Sequence, residues 1–391
     1  MKDKILQLAE TNHGEVVEWR RIIHSNPELA YEEFATSEMV EEKLLSFGIE
    51  VTSGIAKTGV VGILKCNNPD SVCVALRADM DALPIHEANT VNYRSNNAGK
   101  MHACGHDVHT ANLLGVAKVL STLRNELNGT FKFIFQPSEE KIPSGAPAMI
   151  AEGVLENPKP GYLLGLHVSP EIEVGKIGFH AGKFMASSDE VYLTIIGKGG
   201  HAAQVHNTIN PLFGAAAVLL ELQKISDAEK PVVLNFGNIQ GLGATNVIPD
   251  EVKIAGTLRC FDETLRFTLH KQIEQTAIKA AAEYGCKCEV EILHGYPVLV
   301  NDADVTSKAK TATAEILGDA AAIDVLQRMG SEDFAFYTHH VPACFFRLGV
   351  GNAALGITSA IHTSTFNIDE DALKHSVASM SWMAVKLSQG V

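Results

Sequence analysis

The sequence has no run of 18 apolar residues free of charge, and residues 1–10 include no apolar segment of secretory length. Positive charge is also scarce: 32 lysines and arginines stand against 46 aspartates and glutamates, which gives a formal net charge of -14. Phosphate backbones are bound by clustered lysine and arginine. These absences argue against nucleic acid or a membrane as a partner and predict a cytoplasmic protein.

The sequence also lacks the motifs that cradle phosphate groups. No Walker motif occurs, and the glycine-rich stretch 241–246 lacks the final glycine of a dinucleotide fingerprint. The seven cysteines are odd in number and scattered, so a disulfide framework is not expected. Cys286 and Cys288 alternate with charged residues, which favours a strand with both thiols on one face over a second metal or redox site.

Length and apolar patterning predict two domains. A chain of 391 residues exceeds what one hydrophobic core supports, and 46% hydrophobic and 20% charged residues are typical of a soluble globular protein. Helix-like and strand-like segments alternate over 1–181 and 296–391, which predicts one discontinuous α/β domain with a mostly parallel sheet. Residues 182–295 show four strands and two helices in split βαβ order, which predicts an inserted α+β domain.

The stretch Met101–Thr110 concentrates groups that bind metal ions. It holds one thiol, three imidazoles and one carboxylate, and an apolar helix is predicted from His109 to Leu123. Thiolate, imidazole and carboxylate are ligands of borderline-soft divalent ions such as zinc. Because a single glycine separates Cys104 from His106, a non-helical turn can direct both side chains at one ion.

Further candidate residues follow the ends of predicted strands, where function gathers in parallel sheets. Glu139 and Glu140 end an apolar strand over 130–136 and, as neighbours, point in different directions, so one can bind an ion while the other faces a substrate. Taken alone, this pair also fits a solvated loop, and His167 also fits a hydrogen-bonded core residue. The candidates are Asp79, Asp81, Glu139, Glu140, His167 and, in a polar loop, His362.

Several motifs, taken together and in order, resemble the M20 metallopeptidase family. The resemblance is closest to its amidohydrolase branch, which holds N-acyl-amino-acid, hippurate and auxin-conjugate hydrolases, and it extends over nearly the whole chain. The motifs are Arg77–Pro84, Met101–Thr110, Phe135–Glu140, Gly197–Ala203, Asn246–Pro249, Ser331–Phe334 and the loop around His362.

The resemblance implies a zinc-exopeptidase-like catalytic domain with an inserted ferredoxin-like domain that serves as lid and dimer interface. It also implies a metal-dependent amidohydrolase that cleaves N-acyl amino acids, with two divalent ions (zinc, manganese, cobalt or nickel) as cofactors and Glu139 as general base. The implied metal ligands are Cys104, His106, Glu140, His167 and His362.

The same resemblance implies roles for residues around the metal ligands. Asp81 would orient a ligand, whereas the role of Asp79 stays open, and both aspartates fit capping of the strand end equally well. His201 would reach the active site of the partner subunit in a homodimer and donate a hydrogen bond to the developing oxyanion. Asn246 and Arg259 would bind the carboxylate of the substrate.

Two segments depart from the family pattern. Val205 stands where the family usually has proline, and 363–365 replace the usual Ser-Pro after the last ligand. Neither change removes a ligand, so activity is expected while acyl specificity stays open. His102 and His109 are expected to flank the site without binding metal.

Two alternative functions are compatible with the residues. One is a dipeptidase or carboxypeptidase-like activity. The other is a metal-binding homologue without catalysis, but a base such as Glu139 beside the ligand Glu140 argues against it, because a purely structural metal site needs no base.

Overall fold

The computed structural model describes residues 1–226 and 231–389. Within those ranges no helix has the length and hydrophobicity that a membrane span requires. The first elements are α1 (Lys2–Ser25), α2 (Phe34–Ser46), β1 (Glu50–Ile55), β2 (Gly59–Lys65), β3 (Cys73–Asp79), α3 (His106–Thr122), β4 (Thr130–Gln136), α4 (Gly145–Ala151), β5 (Tyr162–Glu173), β6 (Ile177–Phe179) and β7 (Gly182–Met185).

The second part of the chain completes the set. Its elements are β8 (Asp189–Ile196), β9 (Gly200–His201), α5 (Pro211–Gln223), β10 (Val232–Gln240), β11 (Val247–Ile248), β12 (Glu251–Cys260), α6 (Glu263–Ala282), β13 (Lys287–His294), β14 (Leu299–Asn301), α7 (Ala303–Leu317), β15 (Ala322–Asp324), α8 (Phe334–Thr338), β16 (Ala343–Gly351) and α9 (Asp371–Ser388).

The chain folds into two compact units. Unit 1 comprises Met1–Gly182, Val300–Leu326 and Phe336–Val391, and unit 2 comprises Lys183–Leu299 and Gln327–Ala335. The segment Gln327–Ala335, which the sequence prediction gives to the α/β domain, groups with unit 2. The functions of the two units as catalytic domain and as lid or dimerisation domain stay predictions.

The described residues of unit 1 build an eight-stranded sheet in the order β1-β2-β4-β3-β5-β16-β6-β15. The four central strands, β4, β3, β5 and β16, are parallel neighbours. β1 and β2 join antiparallel at one edge, and β6 runs antiparallel to β16. The predicted mostly parallel α/β sheet is therefore confirmed, with antiparallel additions outside its centre.

The burial of a strand explains whether its sequence pattern predicts it. Every residue of β4 is buried, because a central strand of a covered sheet has apolar neighbours on both faces, and its predicted bounds are those observed. β1 has mostly exposed residues and no alternation of apolar and polar side chains, and the sequence prediction omits it. The sequence predicts a strand over 161–167, and the observed β5 runs on to Glu173.

Helix α3 starts at His106 rather than at the predicted His109. Gly105, directly before it, has a left-handed backbone with φ 87°. A Cβ atom at residue 105 would lie 2.5 Å from Cγ2 of Val168, so both the conformation and the close approach require glycine. The helix is buried on nearly all sides and packs against α1, α9 and β3. The turn thus delivers His106 into the protein interior at the start of the helix.

Unit 2 contains a four-stranded antiparallel sheet in the order β10-β12-β8-β13. Helices α5 and α6 pack against this sheet, and their N-termini are capped by Asn210 and Asp262. The chain order β8-α5-β10-β12-α6-β13 with this strand order is the ferredoxin-like arrangement, and it confirms the predicted inserted α+β domain. A short ribbon pairs β9 with β11.

Candidate metal centre

The candidate residues of unit 1 meet at the carboxyl end of its parallel strands. Asp79 is the last residue of β3 and lies opposite Gln136, the last residue of β4. His167 lies two residues beyond Gly165 of β5, which pairs with Arg77 of β3. Adjacent parallel strands therefore bring the turn after β3, the turn after β4 and His167 to one edge.

Cys104 lies at the centre of the cluster. Its Sγ is 3.3 Å from Nε2 of His167 and 3.2 Å from Nε2 of His362. Oε1 of Glu140 is 3.0 Å from Nε2 of His362 and 4.0 Å from Nε2 of His106. Two groups whose ligand atoms all lie within 4.8 Å of one another share the thiol: Cys104 with His106 and His167, and Cys104 with Glu140 and His362.

The buried imidazoles of His106 and His167 direct their Nε2 atoms toward the cluster. His167 donates from Nδ1 to the carbonyl oxygen of Val168 at 2.8 Å, and His106 places Nδ1 3.2 Å from Oδ1 of Asp81. With the proton on Nδ1, the lone pair of Nε2 is available for a metal ion. Nε2 of His106 is buried and has no hydrogen-bond partner among the described residues. Asp81 thus lies where a residue that orients a ligand should lie.

The electrostatics of the cluster fit a cation. Burial raises the pKa of the Cys104 thiol well above its usual range, and the carboxylates of Glu140 and Glu139 raise it further. Burial alone would lower the pKa of His106, but the carboxylates of Asp79 and Asp81 outweigh burial and raise it to about 10. The surrounding negative charge thus favours positive charge at the donor atoms. A thiolate, three imidazoles and a carboxylate suit divalent ions of the zinc type.

Asp81 also organises the turn after β4. Its Oδ1 accepts a hydrogen bond from the backbone N–H of Glu139 at 2.9 Å, and its Oδ2 accepts one from the N–H of Glu140 at 3.0 Å. One buried carboxylate therefore holds His106 and the backbone of both glutamates. The carboxylate of Glu139 is itself buried, with an oxygen within 4.8 Å of ligand atoms of His106 and Glu140.

Both ring nitrogens of His109 are engaged. Nδ1 lies 2.6 Å from Oδ1 of Asp79, and Nε2 accepts the backbone N–H of Val168 at 3.0 Å. No lone pair remains for a metal, so His109 supports the strand next to His167. His102 is buried, and burial lowers its pKa to about 3. Neither of its nitrogens has a hydrogen-bond partner in the described ranges.

A buried ionic network beside His106 escaped the sequence prediction. Oδ2 of Asp107 is 2.7 Å from Nε of Arg20 and 2.8 Å from Nδ1 of His24. Burial alone would raise the pKa of Asp107, but Arg20 and His24 together outweigh burial and hold that pKa well below the usual range. Arg20 and His24 stand four residues apart, and so share one face of α1. That spacing on α1, together with an aspartate directly after the candidate ligand His106, is the signal that could have revealed the network.

The other predicted site residues lie in unit 2. His201 is exposed on the short ribbon, opposite Val247, and the carbonyl oxygen of Asn246 accepts the N–H of Ala202 at 3.0 Å. The ribbon therefore brings His201 and Asn246 close together. Arg259, on β12, is half-buried and donates from Nη1 to the carbonyl oxygen of Met329 at 3.1 Å.

The chain resembles known proteins over most of its length. Residues 75–385 match Peptidase family M20/M25/M40. The chain is 38% identical over 398 residues to IAA-amino acid hydrolase ILR1-like 2 of Arabidopsis thaliana, covering 99% of this chain and 88% of the relative. It is 42% identical over 304 residues to N-acyl-L-amino acid amidohydrolase of Geobacillus stearothermophilus, covering 77% of this chain and 81% of the relative.

A solved structure shares the whole fold. It is a dinuclear metal-binding peptidase of the M20 family from Bacillus subtilis, 32% identical, with a TM-score of 0.83 over 98% of this chain and 100% of that chain. The family match spans most of the sequence, and the thiol, imidazole and carboxylate cluster lies inside it. The chain is therefore a metal-binding hydrolase that belongs to Peptidase family M20/M25/M40.

Proposed function

We propose that the protein hydrolyses the amide bond of N-acyl amino acids with the help of divalent ions, and that Glu139 is the general base. The observation that carries this proposal is the pair of consecutive glutamates in one buried turn. Glu140 joins the cluster with Cys104 and His362, while the carboxylate of Glu139 lies beside the cluster. A structural metal site needs ligands only, whereas a hydrolytic site needs a base as well. The names of the two relatives support an N-acyl amino acid as substrate.

The cluster residues divide into ligands and a base. Cys104, His106, Glu140, His167 and His362 would hold two ions of zinc, manganese, cobalt or nickel, with Cys104 common to both groups. Such ions would polarise a scissile carbonyl and lower the pKa of a bound water molecule toward about 7. Glu139 accepts the proton of the attacking water and returns it to the amine nitrogen as the C–N bond breaks. The products are the acyl carboxylate and the free amino acid.

Unit 2 supplies the other groups of this proposal. Asn246 and Arg259 bind the substrate carboxylate, for which a guanidinium is a suitable bidentate partner. His201 acts in the partner subunit of a homodimer, where it donates a hydrogen bond to the oxyanion. Apolar side chains exposed on unit 2 support a dimer interface there; they are Leu212, Phe213, Leu220, Ile239 and Val247.

The proposed setting is the cytoplasm, without a nucleic-acid or membrane partner. All seven cysteines are free, as expected in a reducing compartment, and the net charge is -14. The substrate is a small molecule whose carboxylate suits the cationic Arg259.

The test combines a substrate panel with matched variants of the two glutamates. We expect the metal-loaded protein to cleave N-acetyl or N-benzoyl amino acids, and Glu139→Gln to keep its metal while kcat falls by about 100- to 10,000-fold. Glu140→Gln is the matched control, one residue away, and should lose metal affinity together with rate. Metal content and kcat are measured on the same samples.

Three results would contradict the proposal in different ways. A Glu139→Gln variant that keeps most of the rate would show that another group is the base. A preference for aminoacyl-blocked substrates would assign a dipeptidase. Full metal occupancy without cleavage of any amide would leave a metal-binding homologue without catalysis.

A further inference from the structure

Glu33 is a buried carboxylate that contacts the turn of the two glutamates. Its Oε1 accepts the backbone N–H of Ser138 at 2.8 Å and that of Tyr31 at 3.0 Å, and its Oε2 accepts the hydroxyl of Thr58 at 2.6 Å. The side chain is fully buried. No motif in the sequence marked this residue as functional.

The position of Glu33 at the start of α2 does not explain its carboxylate. Glu33 is the N-cap residue of that helix, yet its side chain makes no capping hydrogen bond. Glu28 does this work instead, since its carboxylate accepts the N–H groups of Ala35 at 3.0 Å and Thr36 at 2.9 Å. The carboxylate of Glu33 is therefore directed at the catalytic turn and away from the helix that it begins.

The turn that Glu33 holds is strained and tightly packed. Ser138 has a positive φ of 52°, which a residue with a side chain adopts only when its surroundings enforce it. Its carbonyl oxygen accepts the N–H of Gly145 at 2.7 Å. Three consecutive N–H groups thus end on two buried carboxylates: that of Ser138 on Glu33, and those of Glu139 and Glu140 on Asp81.

We propose that Glu33 is a positioning residue of the active site, which fixes the Ser138 peptide and thereby the directions of the base Glu139 and the ligand Glu140. This inference rests on the proposed function of those two glutamates. Without Glu33 the buried N–H of Ser138 has no acceptor, and the left-handed conformation loses the contact that enforces it. A displacement of about 1 Å in a catalytic group can lower a rate by about 100-fold.

The ionisation of Glu33 is consistent with this assignment. Burial raises the pKa of Glu33 to about 6. The hydrogen bond from Thr58 opposes this increase, and the nearby carboxylate of Asp81 adds to it. Burial thus disfavours the charged form at neutral pH, while the hydrogen-bond donors of Thr58 and Ser138 favour it.

The experiment compares Glu33→Ala with Glu28→Ala as matched control. Glu33 and Glu28 lie five residues apart, and each carboxylate accepts two backbone N–H groups. Only the carboxylate of Glu33 contacts the catalytic turn. We expect Glu33→Ala to lower kcat of the metal-saturated enzyme by about tenfold or more with KM within about twofold. We also expect it to weaken zinc binding by the metal-free protein by about 10- to 100-fold, because Glu140 is misplaced.

The conservative variant separates geometry from packing. Glu33→Gln keeps an oxygen that can accept both N–H groups, so it should restore most of kcat and of the zinc affinity. Glu28→Ala should lower the melting temperature while kcat and zinc affinity stay near the wild-type values. Equal kcat and equal zinc affinity in Glu33→Ala and Glu28→Ala would overturn the proposal.

A second matched pair decides the matter if Glu33→Ala does not fold. Thr58→Val removes the hydroxyl bonded to Glu33, and Thr36→Val removes the hydroxyl bonded to Glu28 at 3.0 Å. A several-fold loss of kcat and of zinc affinity in Thr58→Val alone supports the proposal, and equal effects in both variants refute it. The zinc titration does not depend on turnover, so it tests Glu33 even if the wild type proves not to be an amidohydrolase.

Discussion

Asp81→Asn offers a stringent test of how the metal centre is held. The carboxylate accepts three hydrogen bonds, from the N–H groups of Glu139 and Glu140 and from Nδ1 of His106. Asparagine keeps one acceptor oxygen. The best arrangement retains Oδ1, which serves two of the three donors, and places an NH₂ group against the N–H of Glu140. That N–H, which is partly buried, is then left without an acceptor.

The size of the effect follows from this lost hydrogen bond. A partly buried donor left without its charged acceptor costs about 1 to 2 kcal/mol, which corresponds to about 5- to 30-fold in an equilibrium or rate constant. Because Glu140 belongs to the cluster with Cys104 and His362, we expect the loss mainly in metal affinity. At saturating metal the loss in kcat should be smaller, since Glu139 keeps its acceptor.

The assay measures zinc affinity by titration of the metal-free protein and kcat/KM at several zinc concentrations. The matched control is Asp369→Asn. The carboxylate of Asp369 accepts the backbone N–H of Asp371 at 3.0 Å and the side-chain N–H of Asn352 at 2.7 Å, and neither donor belongs to the metal cluster. The reasoning would be refuted if Asp81→Asn bound zinc as tightly as Asp369→Asn.

The remaining predictions concern the dimer and the stability of unit 2. If His201 acts in the partner subunit, mixing inactive His201→Ala and Glu139→Gln protomers should restore about a quarter of the wild-type activity. Half of the randomly formed dimers are mixed, and each mixed dimer has one complete site out of two. If no activity returns after subunit exchange, His201 acts in its own subunit. Asp189→Asn should lower the free energy of unfolding at pH 7 by about 2 to 3 kcal/mol, because the buried guanidinium of Arg266 loses one of its two carboxylate partners and keeps only Glu263, 3.0 Å from its Nη1. Burial alone would raise the pKa of Asp189, but Arg266 outweighs it and lowers that pKa below 3.8, so this contribution should persist above pH 3.8 and fade as the pH drops further. Urea unfolding of both proteins across that range checks this, and a gap that stays constant down to pH 2 would contradict it.

The regular parts of the fold could be predicted because their patterns are local. Strand β4 has three phenylalanines and one isoleucine among its seven residues, and helix α5 begins at an Asn-Pro pair, which is a clear start signal. Strand β1 could not be predicted, since its exposed residues carry no apolar pattern and pairing with β2 alone makes it a strand. The start of α3 at His106 depends on Gly105, whose fit against Val168 is a contact across 63 residues of sequence.

The site was only partly predictable for a related reason. The motifs indicate which residue types can bind a metal. Which of several similar residues is available as a ligand depends on hydrogen bonds that the motifs do not show. His106 and His109 stand three residues apart on one helix, yet Asp79 and the N–H of Val168 occupy both nitrogens of His109 and leave Nε2 of His106 available. Glu33 carries no motif at all, and only its contact with Ser138 reveals it.

By itself, the sequence determined the alternating elements, the inserted domain and the set of donor groups, because these follow from apolar periodicity and from the chemistry of side chains. The tertiary structure alone decided that Cys104 meets His167 and His362, residues far apart in the chain, and that Asp81 and Glu33 hold the turn of the two glutamates. The physical reason is that hydrogen-bond partners and ion ligands depend on distances of a few ångströms, and only the packed sheet and its turns set those distances.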